Sequence, residues 1–189
     1  QIFSSEEYYQ VGTTNLKDQY IGISNNDLTL KIGIFDAQVG TERSTAIGVS
    51  RDDESNSGTQ YAAPQAGGEY TYQGLAIVGT ADDDVSYSDQ TATMVINFDT
   101  ATGTLLADGF TPDDGSPAKD ILLSSDLSID NAYGTISSLS GTITANGSTN
   151  DLGANGLISF DNEAVAGTLV PSAETDGIIG GIFVLPKSE

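Results

Sequence analysis

Apolar and polar residues alternate over most of this chain, and helical periodicity is nearly absent. Residues 27–35 show the alternation well, because one face of an extended chain collects four aliphatic residues: Leu28, Leu30, Ile32 and Ile34. Residues 45–51 form a second short segment of this kind. A period of two is typical of strands that bury one face, so β-structure is predicted for the first part of the chain.

Residues 51–68 interrupt the alternation. This stretch is rich in residues that favour turns and loops: Asp52, Asp53, Asn56, Gly58, Pro64, Gly67 and Gly68. We interpret it as a connection between two units and predict two domains, residues 1–66 and residues 67–189.

Eight strands are predicted after this connection, separated by turns rich in Asp, Asn and Gly. They cover residues 70–79, 87–98, 104–107, 119–125, 134–145, 156–160, 164–170 and 178–185. Short strands with regularly spaced turns indicate a β-sandwich or a β-barrel. An even number of strands joined mostly by short hairpins favours an up-and-down antiparallel barrel, since closure removes exposed edges. Glycines within the strands, such as Gly141 and Gly167, suit the close packing of a small barrel.

The composition excludes several kinds of site chemistry. The sequence holds 27 Asp and Glu against 6 Lys and Arg, a formal net charge of −21, and it has no His, Cys or Trp. Without His and Cys there is no Ser-His-Asp triad, no thiolate nucleophile and no zinc site built on these residues. A nucleic-acid partner is not expected, because such affinity depends on Lys and Arg neutralising phosphates.

The acidity also suggests where the protein works. Residues 1–66 hold 9 acids and 4 bases (net −5), whereas residues 67–189 hold 18 acids and 2 bases (net −16). High ionic strength screens the self-repulsion of such a surface, so we expect an exported protein of a marine or salt-tolerant bacterium. Met94 is the only Met, and we interpret the chain as a processed mature protein or an excised segment. No membrane span is predicted, since no stretch approaches roughly 18 apolar residues.

Seven segments of the second part occur in an order that resembles a known family. They are YTYQG (70–74), ATMVINF (92–98), DTATGTL (99–105), LSGTI (139–143), GLISF (156–160), AVAGTL (164–169) and GGIF (180–183). The order, which covers about residues 68–185, is similar to the barrel domain of bacterial surface proteins like transferrin-binding protein B. That group includes factor-H-binding lipoproteins and haemophilin-like carriers. The resemblance implies an all-β fold, with a small N-terminal β handle subdomain before an eight-stranded antiparallel up-and-down β-barrel.

The resemblance further implies a binding protein whose partners include an outer-membrane receptor or a secretion system. Two departures limit it. The chain has no N-terminal Cys for lipid attachment, and it has no His to ligate haem, although a Tyr ligand stays open. We therefore predict no cofactor.

Acidic turns are the candidate metal sites. Residues 82–84 are three consecutive Asp, and Asp113 and Asp114 precede Gly115, but neither set has the spacing of a calcium loop. We interpret both as solvated turns and predict no metal site. Asn146-Gly-Ser148 matches a glycosylation acceptor and is also interpreted as a turn. Paired carboxylates hydrolyse glycosides without His, but no aromatic cluster that would grip a sugar is expected, so no catalytic residue is predicted.

Six of the eight tyrosines precede residue 73: Tyr8, Tyr9, Tyr20, Tyr61, Tyr70 and Tyr72. Tyrosines supply much of the contact area at protein interfaces, and they are equally ordinary strand residues. If the less acidic first part carries an interaction face, Tyr8, Tyr9 and Tyr20 are its predicted ligand-binding residues.

The predicted function is a non-enzymatic bacterial surface or secreted binding protein that presents loops to a protein or a small molecule. The alternative is a structural or adhesive β module of a surface layer or appendage. A third class, an enzyme that works through carboxylates, has the least support in the sequence.

Overall fold

A computed structural model describes residues 2–11, 14–25, 28–39, 42–53, 60–65, 67–81 and 86–188 of the 189-residue chain. These residues contain thirteen β-strands and no helix, which confirms the all-β prediction. The strands are β1 Ile2–Val11, β2 Thr14–Asn25, β3 Leu28–Val39, β4 Glu42–Asp53, β5 Glu69–Thr80, β6 Ser86–Asn97, β7 Thr102–Ala107, β8 Thr111–Pro112, β9 Ile121–Asp130, β10 Thr135–Ala145, β11 Ser148–Ile158, β12 Ala164–Pro171 and β13 Ile178–Pro186.

The first four strands form an antiparallel meander in the order β1-β2-β3-β4, which we call the N-terminal sheet. β3 contains residues 28–35 of the first predicted segment, whose residue 27 lies outside the described residues, and β4 contains the whole of the second segment. Both strands extend beyond the predicted segments. The alternation did not single out β1 and β2. The division of the chain into two domains at residues 66 and 67 stays a prediction.

The remaining strands close into a barrel, because β5 pairs with both β6 and β13. Around the barrel, the long strands β5, β6, β7, β9, β10, β11, β12 and β13 each pair antiparallel with their neighbours in that order. The predicted eight-stranded antiparallel up-and-down barrel is therefore confirmed. β8 is an addition of two residues that pairs with β6 from the loop after β7.

One barrel strand is much longer than its sequence predicted. β11 begins at Ser148, whereas the alternation predicted a strand over residues 156–160. Its first four residues are polar and mostly exposed, and only Leu152 begins the inward-facing series. This half of the strand forms because β10 pairs with it through the turn at Asn146 and Gly147, and pairing of that kind leaves no apolar pattern.

Inward side chains fill the barrel. Tyr72, Met94, Leu105, Leu123 and Phe183 come from five different strands, and each is at most 1% exposed. They belong to one hydrophobic cluster that runs around the interior. At about 1.5–3 kcal/mol for each large apolar side chain removed from water, this interior is a main source of stability.

Two paired glycines make room for an inward aromatic ring, that of Phe183. Gly156 and Gly167 face each other across β11 and β12, and Phe183 lies over them. A Cβ atom on Gly167 would lie 2.3 Å from Cζ of Phe183 and 2.2 Å from the carbonyl oxygen of Asn155. A side chain at residue 167 would therefore collide with the ring of Phe183. This agrees with the close packing predicted for glycines within the strands.

A second, smaller hydrophobic cluster lies outside the barrel. Leu30 and Ile32 of β3 are at most 1% exposed and pack on outward residues of β12 and β13: Ala164, Ala166, Ile182 and Val184. The N-terminal sheet thus covers one part of the outer surface of the barrel.

Candidate functional site

The packed interior places candidate binding surfaces on the outside of the barrel. One of these is a groove of about 690 Å³ that runs over β9, β10, β11 and β12. It lies where β10 is irregular. A bulge at Leu139 shifts its register with β9, and its pairing with β11 is interrupted between Ser137 and Thr142. Bulges of this kind often re-aim side chains next to functional sites.

Hydroxyls and carboxylates dominate the lining of the groove. Eight of its fourteen lining residues carry one of these groups: Ser124, Ser125, Asp126, Ser138, Ser140, Thr142, Asp151 and Ser172. No Lys or Arg is among the described residues that line it, whereas Asp126 and Asp151 are, so these residues make it negatively charged. The groove therefore favours neutral or cationic ligands that carry hydrogen-bond donors.

Ser125 organises the base of the groove. Its hydroxyl is buried, lies 2.8 Å from the hydroxyl of Ser138 and donates to the carbonyl oxygen of Ser140 at 3.0 Å. The Ser140 hydroxyl in turn donates to Oδ2 of Asp126 at 3.0 Å. These bonds fix the bulge from inside and from outside, so the groove is part of a rigid wall.

The apolar lining of the groove includes two strongly exposed side chains with a glycine between them. Leu139 is 67% exposed and Val170 is 55% exposed. Between them lies Gly153, which pairs with Val170 and faces outward. A Cβ atom on Gly153 would make only ordinary contacts, the nearest at 3.5 Å, so the groove is open because a side chain is missing there.

A second candidate lies at the junction between β4 and the barrel. Arg51 donates from Nη1 to the carbonyl oxygen of Ile158 at 3.0 Å and from Nη2 to that of Tyr133. Its guanidinium carbon lies 5.3 Å from the ring centre of Tyr61 and 5.0 Å from that of Phe160. Arg51 thereby links β4, the segment before β5 and two barrel turns.

Burial perturbs both polar groups of this junction. It lowers the pKa of Arg51 below its ordinary value, and the interaction with Tyr61 opposes that shift. Burial also raises the pKa of Tyr61 to about 12, against the opposing effect of Arg51. The raised pKa leaves Tyr61 neutral at neutral pH. Arg51 carries its charge, as arginine does in proteins.

The junction encloses a pocket of about 350 Å³, lined by Arg51, Gln60, Tyr61, Ala132, Tyr133 and Phe160. This clustering corrects the expectation, stated above, that the chain would form no aromatic cluster. The barrel topology explains why these aromatic residues lie together, and the sequence analysis did not use it for that purpose. In an up-and-down barrel the β9–β10 turn, the β11–β12 turn and the segment before β5 meet at one end, which places residues 133, 160 and 61 together.

The tyrosines that precede residue 73 have different surroundings where their side chains are described. Tyr72 points into the barrel and donates to the carbonyl oxygen of Asn162 at 3.1 Å, whereas Tyr61 lies at the junction. Tyr8 and Tyr9 lie on β1 and Tyr20 lies on β2, but their side chains fall outside the described residues. The proposed face of Tyr8, Tyr9 and Tyr20 stays a prediction.

The acidic turns have internal hydrogen bonds where they are described. Oδ1 of Asp113 accepts from the Ser88 hydroxyl at 2.7 Å, and hydrogen bonds from Ser116 lower the pKa of Asp114. The residues at 82–84 lie outside the described part of the chain. Among the described residues, no group of three or more Asp and Glu is arranged to hold a metal ion.

The glycosylation-like motif is a tight turn. Asn146 and Gly147 both have positive φ angles, 47° and 86°, as a two-residue hairpin turn of type I′ requires. The Asn146 side chain accepts from the backbone of Asp120 at 3.1 Å and donates to Asp176 at 2.9 Å. Asn146 thus ties together three loops at the end of the barrel opposite the junction pocket.

No protein-family model matches the sequence, and none of the curated proteins shows significant similarity to it. The resemblance to transferrin-binding-protein-like barrels therefore rests on the order of segments noted above. Within the described residues, no helix has the length and apolar character needed to cross a membrane.

Proposed function

We propose that this chain is a non-enzymatic binding protein, secreted or displayed at a bacterial surface, which uses the outer wall of a filled barrel to hold a protein or a small ligand. The groove over the β10 bulge is the observation that carries the proposal. Its volume of about 690 Å³ lies within the range of about 300–1,000 Å³ that is usual for ligand sites.

The internal construction of the barrel supports a role as a scaffold. The interior is occupied by side chains, so a ligand is held outside, where specificity is set by side chains on a fixed framework. Neither the groove nor the junction pocket contains His or Cys, and the hydroxyls at the base of the groove are hydrogen-bonded to each other. This arrangement suits recognition better than nucleophilic catalysis.

The proposed location follows from the composition and the resemblance. A net charge of −21 on 189 residues suits a protein exposed to high ionic strength. Surface and secreted binding proteins are also the group that the segment order resembles. An outer-membrane receptor or a secretion system is the partner that this resemblance implies.

One observation favours the alternative of a structural or adhesive module. Among the described strands, β1 and β4 each have a neighbour on one side only, so the N-terminal sheet has two edges. Edge strands offer unpaired backbone groups to another chain. In this alternative, copies of the protein would associate through the edges, whereas the barrel would serve as a spacer.

Filling the groove tests the proposal. Gly153→Leu places a side chain in the groove without a backbone conflict, and Gly79→Leu is the matched control, since a Cβ atom there would meet nothing within 4 Å. The labelled wild type and both variants would be applied to arrays of peptides, glycans and small amines. We expect Gly153→Leu to weaken the strongest interaction at least tenfold, which corresponds to about 1.4 kcal/mol, and Gly79→Leu to leave it unchanged.

Other outcomes would count against the proposal. Equal binding by Gly153→Leu and the wild type would remove the groove as the site. Ordered multimers in analytical ultracentrifugation, together with no binding on any array, would favour the structural module instead. Retention of DNA at about 0.15 M salt would contradict the charge argument.

A further inference from the structure

Tyr133 exposes an aromatic ring on a backbone that is fixed from two sides. Tyr133 lies in the short turn between β9 and β10, and it is 68% exposed. In that turn Oδ1 of Asp130 accepts from the backbone N–H of Ala132 at 2.8 Å, and the Asp130 carbonyl accepts from Gly134 at 2.7 Å. Arg51 donates to the Tyr133 carbonyl from the other side. The ring is thus presented from a fixed position and not from a loose loop.

A residue with a side chain does not fit at position 134 of this turn. Gly134 has a φ angle of 61°, and a Cβ atom there would lie 2.6 Å from the ring of Tyr61. The glycine lets the turn approach Tyr61 and Arg51 closely, which brings Tyr133 to the edge of the junction pocket. The Tyr133 ring therefore lines the pocket while most of its surface stays in solvent.

The pocket beside Tyr133 combines aromatic faces with hydrogen-bonding groups. Tyr61, Tyr133 and Phe160 supply three rings, while Arg51 and Gln60 supply a guanidinium and an amide. Ligand sites are commonly lined in this way, by aromatic side chains with a few polar groups that fix orientation. The volume of about 350 Å³ is near the lower end of the usual range, so the pocket suits one ring or a short segment.

We infer that the junction pocket binds a neutral saccharide, with one pyranose ring stacked on Tyr133 and its hydroxyls bonded to Gln60 and Arg51. The C–H face of a pyranose is apolar and packs on an aromatic ring, whereas its rim carries hydroxyls that pair with an amide or a guanidinium. A nucleotide would offer a ring of similar size, but its phosphates would be repelled by a chain of net charge −21. This site is separate from the groove, so either can fail while the other stands.

Nuclear magnetic resonance titration of the full chain tests the inference. The probes are the methyl glycosides of glucose, galactose and N-acetylglucosamine, and the β-1,4-linked trisaccharides of glucose and N-acetylglucosamine. At least one saccharide is expected to give saturable shifts at residues 60–61, 132–134 and 160. Tyr133→Ala should weaken that binding about tenfold or more, Tyr133→Phe should change it little, and Leu139→Ala in the groove should leave it unchanged.

The variants also separate binding from folding. Tyr133 and Gln60 are exposed, so Tyr133→Ala and Gln60→Ala should melt within a few degrees of the wild type. If Tyr133→Ala nevertheless unfolds, Gln60→Ala takes its place and should weaken saccharide binding. Absence of saturable shifts up to tens of millimolar for every saccharide would overturn the inference. So would binding that neither variant affects, or tighter binding of benzoate or adenosine monophosphate than of any saccharide.

Discussion

Two parts of the barrel surface differ in what lies against them. The outward residues of β12 and β13 (Ala164, Ala166, Ile182 and Val184), which we call the covered wall, are buried by Leu30 and Ile32 of the N-terminal sheet. The outward residues of β9 (Leu122, Ser124 and Asp126), which we call the open wall, are exposed. Both walls enclose the same hydrophobic interior.

The difference shows that the residue pattern of a strand reveals whether its outer face is covered by a second layer, as well as which face lies inside the barrel. Along β9 the inward residues are apolar except for Ser125, and the outward ones are mostly polar, as a strand buried on one face requires. Along β13 the segment Ile182–Leu185 is apolar at every position, because both faces are buried. A run without alternation therefore indicates a second layer over that strand, and here the second layer is β3.

Breaking the covered wall should give the largest effect. Val184→Asp would place a carboxylate against Leu30 and Ile32 without a cationic partner in the cluster. A buried charge left uncompensated costs about 3–5 kcal/mol, so the free energy of unfolding should fall by about that amount. Urea denaturation monitored by circular dichroism would measure the change.

The matched change on the open wall is Leu122→Asp. It replaces an aliphatic outward residue that is 43% exposed, so its carboxylate stays in water. We expect a loss of about 1 kcal/mol or less. Similar losses from both variants would mean that the N-terminal sheet does not shield β13 in solution.

At β6, which β5 separates from the covered wall, a buried carboxylate holds the structure together. Asp89 of β6 is 1% exposed, and Oδ1 accepts from the backbone N–H and the hydroxyl of Thr91, each at 2.7 Å. Oδ2 accepts from the backbone N–H groups of Asp108 and Gly109, each at 3.1 Å. The carboxylate thus fastens β6 to the loop that follows β7 by polar bonds, where the covered wall relies on apolar contact.

Asp89→Asn tests the contribution of these hydrogen bonds, and its effect on the free energy of unfolding should be intermediate. Burial alone would raise the pKa of Asp89, but hydrogen bonds from Thr91, Gly109 and Asp108 outweigh it and hold the pKa below its ordinary value of 3.8. The amide would turn an N–H group towards these donors, and the expected loss at neutral pH is about 1–3 kcal/mol.

The sign of the pH dependence follows from the lowered pKa. Ionised Asp89 stabilises the fold above its unfolded pKa, and this contribution is lost as the pH falls through the folded value. The difference in unfolding free energy between wild type and Asp89→Asn should therefore be constant at neutral pH and shrink in strongly acidic solution. A difference that stays constant down to acid unfolding would contradict this role, and Asp151→Asn at an exposed position without an ion pair among the described residues is the control.

The barrel itself was predictable from the sequence because its inward residues leave a period-two pattern. Strands such as β6 and β13 were placed within one or two residues. The first half of β11 was missed, since its residues are polar and owe their conformation to pairing with β10. The alternation of apolar and polar residues reflects burial of one strand face. It therefore does not reveal a strand that forms mainly through backbone pairing.

The candidate sites were less predictable, for a different physical reason. The groove depends on a bulge at Leu139 and on the absence of a side chain at Gly153, and neither feature changes the hydrophobic pattern. The junction pocket joins residues 51, 61, 133 and 160, which are far apart in sequence. Sequence analysis placed Tyr133 between two predicted strands, but it assigned Phe160 to the end of a predicted strand, whereas β11 ends at Ile158 and Phe160 lies in the following turn. It did not predict that the two residues meet at one end of the barrel.

The smallest expected effect concerns charge on the open surface. Residues 67–189 hold 18 acids and 2 bases, and the two described ion pairs, Lys119 with Asp176 and Lys187 with Glu163, use both bases. The remaining acids repel one another when screening is weak. Raising NaCl from about 10 mM to about 1 M shortens the Debye length from roughly 30 Å to 3 Å. The melting temperature should then rise by roughly 2–4 °C, as about 1 kcal/mol of stabilisation produces in a chain of this size.

A variant with fewer charges identifies the cause of that rise. Asp108, Asp151 and Glu174 are exposed, and none forms an ion pair among the described residues. The triple variant Asp108→Asn, Asp151→Asn and Glu174→Gln should start from a higher melting temperature at low salt and gain less on addition of NaCl. Calorimetry at both salt concentrations would measure the two gains. Because the covered wall is apolar, Val184→Asp should unfold at lower temperature without losing its response to salt, which separates screening of the open surface from the packing beneath the N-terminal sheet. An equal gain in the triple variant and the wild type would mean that salt acts through apolar burial and not through repulsion.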